Sequence, residues 1–177
     1  MDLGLAGKRG DAVAWFEPAG TFATSSAYAT PGWLQTYLQA HPIERAIDAV
    51  WTPARPATAY RGSDAGIGEK PPIGWTTTFP HALSNGTANT LFYDRWQRSP
   101  YSDAYLADMA IAAVDQMRLG RGAGIDYLGV SFSALDLVGH KFGPDSHEVQ
   151  DVLLRLDDLL GDLLATLDRL LQEPNKR

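Results

Sequence analysis

The run Tyr127-Leu128-Gly129-Val130-Ser131-Phe132-Ser133 is short and mostly apolar, and it stands between a Gly-rich turn at Gly120–Gly124 and a leucine-rich stretch. Such a run reads as a strand buried in a sheet. Before it, Leu106, Met109, Ala110, Ala113, Val114 and Met117 recur at helical spacing from Ala104, and Gly120 is the helix stop. After it, Val149, Val152, Leu153, Leu156, Leu159, Leu160, Leu163, Leu167, Leu170 and Leu171 form a broad apolar stripe, with Asp145 and Glu148 spaced as a capping pair. Helix, strand, loop and helix in that order predict an α/β fold, a sheet with helices on its faces. The stripe also fits a heptad-like spacing, but its width favours core packing over a coiled coil.

The loop of that unit carries the chemistry. Asp136-Leu137-Val138-Gly139-His140-Lys141-Phe142-Gly143-Pro144-Asp145-Ser146 sets a carboxylate and an imidazole four residues apart, just past the predicted strand's carboxyl end. Ligands of open α/β sheets gather at that end. An Asp and a His so spaced can face one side of a turn or fold around a shared ion, so Asp136 and His140 are the candidate metal ligands. The chain has no cysteine, so any zinc here sits on N and O ligands. A catalytic zinc takes about three protein ligands, and these two residues supply two.

Other groups read as structural. His147 opens the following helix and is expected on its surface; His81 suits a hydrogen-bonded structural role, and His41, before Pro42, a loop. Ser131 and Ser133 lack the glycine that a nucleophile elbow needs after its serine. Gly120-Arg121-Gly122-Ala123-Gly124 follows a helix and precedes a strand, the reverse of a phosphate-cradling loop, and is a turn. Asp157 and Asp158 belong to a solvated helix face.

Upstream, apolar residues from Asp11 to Phe16 and from Thr21 to Ser25 suggest a hairpin turned by Pro18-Ala19-Gly20. Thr30-Pro31 reads as an N-cap and first helical position for a short helix through Trp33, Leu34, Tyr37 and Leu38. Residues 52–90 scatter Pro and Gly among Thr and Ser, so few regular elements run far, and the segment is expected to lie over the sheet as an irregular insertion.

With 177 residues, 45% hydrophobic and 20% charged, the chain suits one soluble globular domain. A net charge of −6 without a basic cluster beyond Lys176-Arg177 argues against a nucleic-acid partner. No run reaches the ~20 apolar residues of a membrane span, and Met1 to Trp15 lacks the apolar core of a signal peptide, so as written the chain is expected in the cytoplasm.

The spacing Asp-x-x-Gly-His-x-x-Gly-Pro-x-Ser, followed by a Leu-rich helix with Leu156-Asp157, resembles a metal-ligand segment of the alkaline phosphatase superfamily, in its type I phosphodiesterase and nucleotide pyrophosphatase-like branch. Phe79-Pro80-His81, Phe92-Tyr93, Ser99-Pro100-Tyr101, and Ala6-Gly7 with Asp11-Ala12 and Trp15-Phe16 resemble bacterial zinc-dependent alkaline phosphatases of that branch. The resemblance implies a partial three-layer sandwich over residues 1–177, with about 20–100 as insertion and 101–171 as helix, strand, metal loop and helix. It implies a hydrolase of phosphate esters with two zinc ions, usually periplasmic or secreted. Of its zinc ligands, the resemblance carries over only to Asp136 and His140. The family's nucleophile, basic phosphate-binding pair and remaining ligands lie outside the matching segments, so no catalytic residue is assigned. Lys8-Arg9 falls after Ala6-Gly7 and reads as a solvated turn rather than that basic pair. Such a piece is expected to leave strand edges and a Leu face uncovered.

The competing reading is a noncatalytic interaction module or pseudoenzyme fragment on the same scaffold, using Trp15, Trp33, Trp51, Tyr28 and Tyr37 as a binding surface.

Overall fold

A computed structural model describes residues 10–172, so Ala6-Gly7, Lys8-Arg9 and Lys176-Arg177 lie outside the described residues. Strands β1 (Trp15–Glu17) and β2 (Thr21–Ala23) form the expected antiparallel hairpin, pairing Phe16 with Phe22. Gly20 closes its turn at φ +86°, and a Cβ there would run into the Tyr93 ring, so both the turn and the packing require glycine. Helix α1 (Gly32–Ala40) follows with Pro31 at its N-cap and no side-chain cap, so Thr30 does not serve as one.

Strand β3 (Val50–Trp51) pairs antiparallel with β4 (His81–Ala82), placing Trp51 opposite His81. The residues between them are irregular except for a 3-10 turn at Ala57–Ala59. This stretch does more than cover the surface, because Tyr60 and Trp75 are buried. Helix α2 (Thr90–Gln97), absent from the sequence-based expectation, is capped by Asn89, whose Oδ1 accepts the Phe92 amide at 3.0 Å. Phe92 and Trp96, one turn apart, enter the core. Helix α3 (Pro100–Gln116) starts ahead of Ala104 because Pro100 supplies a helical φ at a position where no amide is needed.

The predicted strand is the main correction. Residues 124–133 form no strand and are largely exposed; Ile125 and Tyr127 are 102% and 76% accessible. A strand exists only through hydrogen bonds to a neighbour, and among the described residues the two sheets are two-stranded pairs, β1–β2 and β3–β4, formed elsewhere. The metal loop is likewise corrected: most of it is helix α4 (Ala134–Phe142), with a true loop only at Gly143–Ser146. A helix satisfies its own backbone and needs no such neighbour.

Helix α5 (His147–Gln172) is the longest element. Its cap is Ser146, whose Oγ accepts the Val149 amide at 3.1 Å, rather than the Asp145–Glu148 pair. Glu148 turns inward instead. Its leucine stripe is covered only in part, since Leu163 is buried while Leu153, Leu160, Leu164 and Leu171 are exposed. No helix among the described residues is long and apolar enough to cross a membrane.

Two buried carboxylates on the first turns of α5 bind the irregular half of the chain to the helices. Glu148 Oε1 lies 2.8 Å from His81 Nε2, with both side chains fully buried among the rings of Trp51, Trp75, Phe79 and Phe142. Asp151 accepts from Trp51 Nε1, Tyr60 Oη and the Ala54 amide at 2.6 Å each, and from Arg155 Nε at 2.7 Å. Removing such an acceptor strands several buried donors. Asp151→Ala should therefore lower unfolding free energy by about 3–5 kcal/mol. Breaking the exposed Arg55–Asp158 pair with Arg55→Ala should cost no more than ~1 kcal/mol. Urea midpoints at constant m-value compare them, and equal losses would contradict this account.

Candidate metal centre

Helix α4 is oriented by one apolar face. Ala134, Val138 and Phe142 recur at four-residue steps and are 1%, 0% and 3% exposed. Residues two positions on lie about 200° further around the helix. Asp136 and His140 therefore point outward, with side chains 74% and 75% exposed. The structure brings the two candidate ligands together, with His140 Nε2 3.4 Å from Asp136 Oδ1. Two N/O ligands of a tetrahedral zinc, each at about 2.0–2.1 Å, sit about 3.3 Å apart. The pair thus fits one edge of a zinc coordination shell, with Nε2 as the ligating nitrogen.

It is an edge and no more. Among the described residues, no group of three or more His, Cys, Asp or Glu side chains could hold a metal ion. A groove of about 520 Å³ between α3 and α5 and a cavity of about 30 Å³ beside Trp96 are both lined by other residues.

The other histidines serve the fold. His81 is a hydrogen-bonded structural residue, as expected, and His41 sits at the end of α1 with Nδ1 3.0 Å from the Tyr37 carbonyl oxygen. His147 departs from expectation: it is buried, stacks on Tyr60, and places Nε2 3.2 Å from the Gly62 carbonyl oxygen. The loop at 60–64 folds back over the start of α5, which the local helix pattern could not reveal. Trp51 and Trp75 are core, not surface.

Asp103 on α3 was not singled out by sequence, having only one acidic residue in a helical pattern to mark it. It is 2% exposed, and its Oδ1 accepts the Ala134 amide at the start of α4 at 3.2 Å. Burial pushes its carboxyl up to about 6, against the lowering effect of the Ala134 and Ser133 amides. A carboxyl raised in the folded state favours folding while protonated. That contribution is complete below the unfolded value of 3.8 and is lost as pH rises through about 6. Asp103→Asn should thus gain stability over the wild type as pH goes from 4 to 7.5; urea midpoints with a pH-independent difference would overturn this.

The sequence profile described as Type I phosphodiesterase / nucleotide pyrophosphatase matches residues 2–174. The alkaline phosphatase PhoV of Synechococcus elongatus is 30% identical in an alignment 167 positions long that covers 91% of this chain and 30% of PhoV. The alkaline phosphatase PafA of Elizabethkingia meningoseptica is 29% identical in an alignment 172 positions long that covers 88% of this chain and 29% of PafA. The crystal structure of wild-type PafA superposes at a TM-score of 0.76 and 29% identity, covering 89% of this chain and 31% of that one. The chain spans about 30% of the length of these relatives. Its mixed helices and small sheets follow the alkaline phosphatase fold over that span, and the chain belongs to the type I phosphodiesterase / nucleotide pyrophosphatase family.

Proposed function

We propose that this chain supplies Asp136 and His140 as two ligands of a dinuclear zinc site in a phosphate-ester hydrolase. The remaining ligands and the nucleophile would come from polypeptide outside these residues. The observation that carries the reading is the outward pair whose 3.4 Å separation matches a zinc ligand edge. Membership of a phosphodiesterase family, with relatives named alkaline phosphatases, supports the substrate class. In such a site zinc supplies a Lewis acid for phosphoryl oxygens.

The chain's own residues present the donors. Asp136 offers a carboxylate oxygen and His140 an imidazole nitrogen, both fixed to one short helix. Neither lines the groove between α3 and α5 or the cavity beside Trp96, and two exposed side chains do not by themselves enclose an ester, so the isolated chain is expected to be inactive. The complete protein, on this reading, works in the periplasm or outside the cell.

The noncatalytic alternative keeps Trp15, Trp33, Tyr28 and Tyr37 as partly exposed aromatics and gives up Trp51, which is core. Zinc titration followed by imidazole ¹⁵N shifts separates the two readings. His140 signals should respond ahead of those of His41, His81 and His147, and Asp136→Ala should weaken binding by at least about tenfold, or ~1.4 kcal/mol. A response unaltered by Asp136→Ala would remove the pair as ligands. In the natural polypeptide that carries this segment, the same substitution should abolish phosphate-ester hydrolysis, and normal turnover would sink the assignment.

A further inference from the structure

We propose that Asp103 is a positioning residue for the Asp136–His140 pair, its buried carboxylate capping α4 from a different helix. The proposal rests on the metal reading for its consequence but on independent geometry for its substance.

The first amides of a helix have no partner within the helix, and the residue before the first turn usually accepts one with its own side chain. Ser133 occupies that place in α4 and makes no such bond. Its Oγ instead lies 3.2 Å from Ser131 Oγ. The acceptor comes from 31 residues upstream, where Asp103 Oδ1 takes the Ala134 amide at 3.2 Å. A carboxylate at that end also opposes the positive pole of the helix.

Burial alone does not locate the pair. Packing of Ala134, Val138 and Phe142 selects which face of α4 turns inward, but apolar contact is non-directional and leaves the helix free to slide or unwind at its start. The directional restraints lie at its two ends. At the far end the Lys70 amide donates to the Lys141 carbonyl at 2.7 Å. At the near end residues 124–133 join no sheet, and Asp103 provides the bond to α3. Asp136 lies two residues beyond Ala134, so any loosening of the first turn displaces its carboxylate relative to His140. Coordinating groups need placement to about 0.5 Å.

Asp103 is otherwise an expensive residue. Its Oδ2 is buried without a hydrogen-bond partner, and desolvation raises its pKa to about 6. A group kept there for stability alone would be better replaced by an apolar one.

The test uses the 177-residue protein with Asp103→Asn, which keeps an acceptor oxygen, and Asp103→Leu, which removes it at similar volume. Amide exchange at Ala134 and Leu137, whose amide donates to the Ser133 carbonyl, is compared with exchange at Val152 in α5, and the His140 imidazole ¹⁵N shifts are read without metal and during zinc titration. In the Leu variant, Ala134 and Leu137 should exchange at least about tenfold faster while Val152 is unchanged. The His140 shifts should move, zinc binding should weaken, and Asn should restore all three. Uniformly faster exchange at all three amides in the Leu variant, or an Asn variant that behaves as Leu does, would overturn the proposal. If Leu prevents folding, Asp103→Ser, whose shorter side chain falls short of Ala134, takes its place with the same readouts. Should zinc leave His140 unmoved in the wild type, the metal reading fails, while the exchange pattern and metal-free shifts still decide the role of Asp103.

Discussion

Asp151 is the most heavily bonded of the several residues that join the stretch after Trp51 to α5. Its two oxygens collect the Trp51 indole, the Tyr60 hydroxyl, the Ala54 amide and the Arg155 guanidinium. Three of those donors belong to residues 51–60, a stretch rich in proline that makes almost no backbone ladder of its own. A buried carboxylate with every lone pair engaged specifies position as apolar contact cannot, because each bond has a direction. Glu148, one turn earlier, holds His81 through Oε1 alone, its Oε2 being buried without a partner. With those anchors set, α5 has a fixed start, and the loop Gly143–Ser146 and helix α4 before it inherit their place.

From there the placement of the proposed ligand pair follows by helix geometry. Phe142 and Val138 fill space against the core that α5 and the irregular segment create, and Ala134 sits where α3 comes close. Once those three positions face inward, Asp136 and His140 have to face outward. The ligand pair is thus a consequence of core packing at neighbouring positions, and an apolar substitution at Val138 or Phe142 acts on the ligands without touching them.

The sequence showed the helices well and the tertiary polar contacts poorly. The periodic apolar residues of α3 and α5, the Pro18-Ala19-Gly20 turn and the disorderly Pro/Gly stretch after Trp51 are local signals, and local physics decides them. Asp136 and His140 were legible because their spacing and the glycines around them form a pattern. Asp103, Asp151 and the buried His147 were not, because each acts on residues between 31 and 100 positions away. Helix α2 had a readable cap in Asn89, but its apolar content of Leu91, Phe92 and Trp96 is too short a run to stand out.

The strand expected at Tyr127–Ser133 fails for a reason that also bears on the proposed metal site, where two candidate ligands stand without a third among the described residues. Its sequence is suited to a sheet interior, apolar and β-branched at Val130, yet a strand cannot satisfy its backbone alone, whereas α4 immediately after it can. The Gly120 turn brings this segment against the end of α5: Asp126 accepts the Gly120 amide at 2.7 Å, and a Cβ on Gly120 would lie 2.6 Å from Leu171. The unpaired segment thus leaves the Gly120 turn close to Leu171, one of the exposed leucines of α5. A helix completes itself, a strand needs a neighbour and a zinc needs a third ligand; this chain has formed what one segment can form by itself.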